Sequence, residues 1–246
     1  MTKKLIAVLC TDDWQPEIRA LTFPLMKYHA RKIGADFYVI NDRKFPAHYP
    51  LCYERFQLYD ISKHYDWVIQ LDADFLVHPD MPDVTAFLPK EKVLISTPGV
   101  ASQSYQMDEY FLRDGRNICV GGFVTVNSDW TRDLWRPPDD LTPEEAMDRC
   151  EPKTFEWRDR QMYKDHIVLD YILSRNLAKY GLKIETLQNM FNTWVKAGYC
   201  SIQQIEDYVM HNAQLKYHEK IQHIRQYLNV HWKIDPLKWP ITKNQE

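Results

Sequence analysis

Two aspartates, Asp72 and Asp74, stand one residue apart inside the apolar stretch VIQLDADFLVHPD, Val68 to Asp80. Val68, Ile69 and Leu71 precede them, and Phe75, Leu76 and Val77 follow. An ionised carboxylate is rarely buried unless it is paired or holds a metal. Side chains at i and i+2 of an extended backbone point the same way, so both carboxylates can converge on one point. Two hard oxygen donors so placed suit Mg²⁺ or Mn²⁺, which also offsets their repulsion. The competing reading is that one Asp caps the turn near Pro79 while the other is solvated. Position favours the metal: the apolar run ahead of Asp72 reads as a strand, and open parallel sheets bind ligands beyond the carboxyl ends of their strands.

The elements that must present this pair are readable from apolar patterning. Leu5 to Cys10 is a short buried strand bounded by Lys and by TDD. Asp13 can cap a helix with Pro16 and Glu17 in its first turn, Leu21, Leu25 and Tyr28 on its apolar face, a kink at Pro24 and a stop at Gly34. Phe37 to Ile40 reads as a second strand, Tyr53 to Lys63 as a helix and Trp67 to Leu71 as a third strand. That β-α-β-α-β order predicts an α/β fold with a mainly parallel sheet between helices. Val93 to Ser96 and Gly122 to Val126 are further strands, and 99–117 reads as a surface excursion. RPPDDLTPEE, 136–145, reads as a long loop, and 160–180 as a helix ended by Gly181. Ile184 to Leu187 and Tyr208 to His211 read as strands, and Ile221, Ile224 and Leu228 mark a late helix. One domain over 1–235 with a polar tail over 236–246 is the expected organisation.

With 45% hydrophobic and 26% charged residues, nothing in the chain resembles a disordered segment. The formal net charge of -3 without a Lys/Arg block argues against nucleic acid as a partner. No apolar run reaches the ~18 residues of a membrane span, and MTKKLIAVLCTDDW lacks a full signal peptide. Cys10, Cys52, Cys119, Cys150 and Cys200 have no framework spacing and read as reduced thiols, so a cytoplasmic location is expected. The 8 Trp and 15 Tyr suit either an aromatic core or rings lining a sugar groove.

YDWVIQLDADFLVHPDMPD, Tyr65 to Asp83, resembles the DxD core of the GT-A glycosyltransferases, which use nucleotide-sugar donors. YERFQLYDIS resembles the helix carrying a basic residue near the donor, which gives Arg55 that role. VGGFVTVNS, 120–128, is similar to the family's small-residue strand, placing Gly121 and Gly122 on the donor and sugar side. DHIVLDYIL resembles the helix whose first acid contacts the transferred sugar, which implies catalytic roles for Asp165 and His166. YVMHNAQLKYHEKIQ, 208–222, resembles the late strand whose histidine completes the metal site, here His211. The resemblance thus spans most of residues 4–228 and implies a GT-A (Rossmann-like) single-domain fold. It further implies Mn²⁺ or Mg²⁺ held by Asp72, Asp74 and His211, with Asp72, Arg55 and Lys216 near the diphosphate. The implied reaction moves a sugar from a UDP-sugar to a glycan, lipid or protein hydroxyl, with retention of configuration. Two departures bear on the diphosphate side: Gln214 stands where a glycogenin-like branch has Gly, and Lys216 comes one place early; Asp170 replaces an Asn in the helix.

Bland alternatives accompany each residue. His211 can be a satisfied strand histidine, Arg55 a solvated helix residue, Asp165 a first-turn charge favoured by the helix dipole, and the glycines a bulge. Thr11, just past the first strand, is a nucleotide contact by position alone. A phosphoryl-transfer DxD site wants Thr two residues past the second Asp, where Leu76 stands. A sugar nucleotidyltransferase wants a Gly-rich loop that LCTDDWQPE lacks. A non-catalytic sugar- or nucleotide-binding module of the same fold is the remaining rival.

Overall fold

The computed structural model describes residues 2–12, 14–95, 122–149, 160–196, 209–211 and 217–235, with 147–149, 160–168, 188, 193–196, 209–211 and 217 described as backbone alone. Strand β1 (Lys4–Leu9) leads into helix α1 (Pro16–Ile33), and β2 (Ala35–Ile40) follows directly. A 3₁₀ stretch (Leu51–Gln57), one α turn (Leu58–Ile61) and a second 3₁₀ turn (Ser62–His64) precede β3 (Trp67–Asp72) and the short β4 (Phe75–Val77). The rest comprises β5 (Lys92–Ile95), β6 (Phe123–Asn127), helices Pro143–Arg149 and Arg160–Lys179, β7 (Lys183–Thr186), helix Leu187–Lys196, β8 (Val209–His211) and helix Tyr217–Tyr227.

Six strands form one sheet in the order β2-β1-β3-β6-β5-β7. β1 runs parallel to β2 and β3, and β5 parallel to β7, while β6 is antiparallel to both its neighbours. The sheet is therefore mixed and mainly parallel, the expected α/β architecture. Its central strands are buried on both faces, which is why they read as continuous apolar runs. Leu5 and Ala7 pack with Val68, Val124, Trp135 and Leu173 on one side. Ile6 and Val8 pack with Ile69, Met26, Phe123 and Phe191 on the other, the alternation that strand geometry imposes. Trp67, Trp135 and Trp232 are all buried, so these rings serve the core. No helix among the described residues is long and apolar enough to cross a membrane.

Several boundaries differ from expectation. Gln15, not Asp13, is the N-cap of α1, and it sits in a left-handed conformation without a side-chain cap. Pro16 at the first position compensates, since its missing N–H is one that no helix start can use. The helix runs on through Pro24 and ends at Gly34, whose φ of 67° lets its N–H turn back onto the carbonyls of Ala30 and Arg31. The helix expected over 53–63 is mostly 3₁₀. Gln57 donates to the buried Glu54 carboxylate three residues back (2.8 Å), the spacing that stacks side chains in a 3₁₀ coil. Within the acidic loop, Pro143 already starts a helix, because Thr142 and Glu145 form a reciprocal capping box (2.7 and 3.2 Å). The excursion 99–117 and the tail from Pro236 lie outside the described residues. So do Asp13, Gly121 and Lys216.

Candidate active site

Five of the six sheet strands run in one direction, so their carboxyl ends share an edge with the start of β6. Asp72 is the last residue of β3, in register with Leu9 at the end of β1. Its N–H donates to the carbonyl of Gly122 (2.8 Å), which ties the pair to the approach of β6. Thr11, buried two residues past β1, lies on the same edge. The strand stops at Asp72, and Ala73 and Asp74 form a turn into β4. The i, i+2 rule for extended chain therefore does not fix the direction of the second carboxylate.

Each carboxylate has its own cation. Arg55 donates through Nη2 to Asp72 Oδ1, and Gln70 Nε2 donates to the same oxygen (3.1 Å). Lys220 donates to Asp74 Oδ2 at 2.5 Å, with both side chains 8% exposed. Charges this dry are costly unless paired, so the pairs explain how two acids tolerate apolar company. Thr22 on α1 donates to the carbonyl of Ala73 (2.6 Å) between the two acids, fastening their turn to the helix.

Arg55 is aimed by its own neighbours. Glu54, fully buried, accepts from the backbone N–H groups of Lys44 (2.9 Å) and Phe45 (3.2 Å) and so staples the 41–50 loop to the 3₁₀ stretch. Tyr53 and Phe56 pack edge to face at 4.7 Å on its flanks. Burial raises the Tyr53 phenol above its ordinary range, so it stays neutral. Arg55 is thus a buried residue, not a solvated one. Its Nε and Nη1 have no hydrogen-bond partner among the described residues.

β4 pairs with β8 in a second, two-stranded sheet with Phe75 opposite His211. Expectation had missed β4, and the pairing brings the backbone of His211 beside the residue that follows Asp74. Asp165 and His166 lie in helix Arg160–Lys179, and their side chains, like that of His211, are outside the described ones. Among the described residues no group of three or more His, Cys, Asp or Glu side chains is arranged to hold a metal. Lys220, Gln70, Thr22 and Trp14 were not foreseen. Lys220 recurs at i+4 and i+8 with the buried Ile224 and Leu228, a spacing that puts it on the inward stripe of its helix. Trp14 lies against it, the ring centroid 5.9 Å from Lys220 Nζ.

No family model matches the chain, and no curated protein does either. Solved structures similar to it include a glycosyltransferase involved in the glycosylation of the major capsid of PBCV-1, at 15% identity over 90% of this chain and 99% of that one, with a TM-score of 0.48. Another is the galactosyltransferase LgtC in complex with donor and acceptor sugar analogues, at 12% identity over 93% of this chain and 99% of that one, TM-score 0.49. A third is Drosophila beta-1,4-galactosyltransferase 7 in complex with manganese, UDP-Gal and xylobiose, at 15% identity over 75% of this chain and 64% of that one, TM-score 0.39. At 12–15% identity no residue role passes from them to this chain, and the parts played by Asp72, Asp74, Arg55 and Lys220 rest on their own geometry.

Proposed function

We propose that the chain is a metal-dependent glycosyltransferase moving a sugar from a nucleoside-diphosphate sugar, a UDP-sugar in the first instance, to a hydroxyl acceptor with retention of configuration. The observation that carries the reading is the Asp72–Ala73–Asp74 turn, held by two cations at the carboxyl edge of the sheet, with the His211 strand paired alongside it. The donor chemistry fits a small divalent cation: Asp72 and Asp74 offer hard oxygens and His211 a nitrogen. A cation bound there supplies Lewis-acid stabilisation of the negative charge on the departing diphosphate.

The chain's own residues do the rest. Breaking the anomeric C–O bond builds positive charge on the sugar and negative charge on the diphosphate. Arg55 is fixed before the donor arrives, so its remaining N–H groups answer the anion without reorganising. Thr11 and Gly122 line the edge on either side of Asp72, where a nucleotide and its sugar would lie. Asp165, with His166 beside it, orients the sugar hydroxyls or stabilises the oxocarbenium-like carbon, and Lys216 adds charge on the diphosphate side.

The decisive measurement is a panel of nucleotide sugars scored for donor hydrolysis with Mn²⁺ or Mg²⁺ and again after chelation, which needs no acceptor. Release of diphosphate from one donor, lost on chelation, is the expected outcome. Hydrolysis of none, with or without metal, sinks the proposal. Donor binding without turnover favours a second reading, a nucleotide-sugar-binding module, to which the Lys220–Asp74 pair lends support because a lysine already neutralises one of the two carboxylates.

A further inference from the structure

Lys220 occupies an unusual place for a cation. It is the fourth residue of helix Tyr217–Tyr227, near the positive end of the helix dipole, which disfavours cations. It is also buried, on the stripe it shares with Ile224 and Leu228. Those two pack with Ile18, Leu21 and Leu25 of α1 and with Leu76 of β4, so the helix is seated on the elements that frame the acidic turn. Lys220 Nζ thereby reaches Asp74 Oδ2 at 2.5 Å and lies 5.9 Å from the Trp14 ring, a cation–π distance. Trp14 is itself held in the β1–α1 turn between Asp12 and Gln15, both with positive φ, 54° and 41°.

Each acid of the turn therefore meets a positive side chain. Among the described residues, Asp72 and Asp74 contribute two negative charges there, and Arg55 and Lys220 two positive ones. A divalent cation arriving alone adds two positive charges to this nearly dry site, and it must take Asp74 from Lys220 and leave that buried ammonium without its carboxylate. A cation arriving with a diphosphate brings its counter-charge with it, and the displaced ammonium gains phosphate oxygens in place of the carboxylate. We propose that Lys220 is an internal counterion that the metal replaces on Asp74, and that this exchange makes the metal and the nucleoside diphosphate bind only together. The inference rests on the metal–diphosphate reading of the site. It gives Lys220 two stations, Asp74 in the empty state and the diphosphate in the loaded one, with Trp14 flanking both.

The test is calorimetric titration of the whole chain with Mn²⁺ alone, UDP alone and UDP in the presence of Mn²⁺. Wild type is expected to bind Mn²⁺ weakly by itself and to gain UDP affinity with Mn²⁺ by a factor within the roughly 5- to 150-fold range of site–site coupling. Lys220→Met removes one positive charge from the turn and frees Asp74 from its ammonium partner. Mn²⁺ alone should then bind roughly tenfold tighter and the coupling should shrink to within about threefold, the two changes being one linked quantity. Lys220→Arg keeps the charge and grips the carboxylate at two points, so it should bind Mn²⁺ alone more weakly than wild type while keeping the coupling. Opposite shifts from two substitutions at one position are not what a merely structural lysine gives. Mn²⁺ affinity in Lys220→Met no tighter than wild type overturns the exchange, and coupling in wild type then leaves the metal–diphosphate reading standing. Wild type that binds neither ligand overturns both. Should Lys220→Met fail to fold, Lys220→Arg decides: Mn²⁺ affinity equal to or above wild type overturns the exchange.

Discussion

The two edges of the sheet each hold acid side chains largely withdrawn from solvent and paired with basic ones, yet they are built differently. At the amino edge, Asp83 takes Lys4 on one carboxylate oxygen and the N–H (3.0 Å) and hydroxyl (2.7 Å) of Thr85 on the other. Lys4 also donates to the Ile33 carbonyl (3.1 Å), and Lys32 to that of Pro79 (2.8 Å), so this network ties strand, helix end and loop together. Its acid caps a turn, and its lysine closes a helix. At the carboxyl edge, Asp72 and Asp74 share one turn and draw cations from Arg55 on the 3₁₀ stretch and Lys220 on the last helix. An acid that caps its own turn with one oxygen and ties that turn to a strand with the other is a fold element. Two acids one residue apart, balanced by side chains 17 residues before and 146 residues after them, form a site whose partners can be exchanged.

The sharpest way to break this contrast is to neutralise one acid at each edge. Asp74→Asn should reduce donor turnover by roughly 10²- to 10³-fold, the loss seen when one preorganised electrostatic group is removed. Asp83→Asn should leave turnover unchanged and cost about 1–3 kcal/mol of stability, as expected for a partly buried hydrogen-bonded charge. Hydrolysis assays and urea unfolding on both variants decide it, and the reverse pattern would collapse the distinction.

The amino edge also carries a pH dependence of its own. His29 on α1 is buried, and burial, with Lys32 adding and Asp83 opposing, lowers its pKa from 6.5 to about 4. The folded protein holds the ring neutral while the unfolded chain protonates it, so its contribution is complete above pH 6.5 and is lost as pH falls toward 4. A shift of that size amounts to about 3 kcal/mol across the window. Urea unfolding at stepped pH should show this acid slope in wild type and lose it in His29→Leu. An unchanged slope would mean that the amino edge does not gate acid stability.

The sequence disclosed these edges unequally. β1 and β3 were legible because a strand covered on both faces must be apolar throughout, and Asp72 was legible because it interrupts such a run. The reversed direction of β6 was not, since apolar alternation carries no sign of which way a strand enters a sheet. β4 was hidden for a related reason: three apolar residues after a DxD look the same as loop packing until β8 pairs with them. Lys220 was the instructive omission. A lysine on an amphipathic helix is ordinarily solvated, and only its i+4 and i+8 spacing to Ile224 and Leu228 marked it as inward. The partner that makes this tolerable lies 146 residues away, a distance local patterning does not span.

Thr22 tests how finely the carboxyl edge is set. Ile18, Thr22 and Met26 fall at i, i+4 and i+8 on the buried stripe of α1, so a polar residue there needs a partner. Its hydroxyl donates to the carbonyl of Ala73, fixing the one residue between the two acids to the rigid helix behind them. Thr22→Val keeps the shape and removes the donor, leaving the Ala73 carbonyl to lose a bond worth about 1 kcal/mol. If the turn's geometry matters only to the fold, unfolding free energy drops by that amount and donor hydrolysis is untouched. If the turn positions both acids for the diphosphate, a small displacement reaches the reacting centre, and turnover should fall by up to roughly tenfold at saturating donor. The second outcome is expected, because Asp72 and Asp74 take their separate cations from a single turn, and Thr22 fastens the point between them.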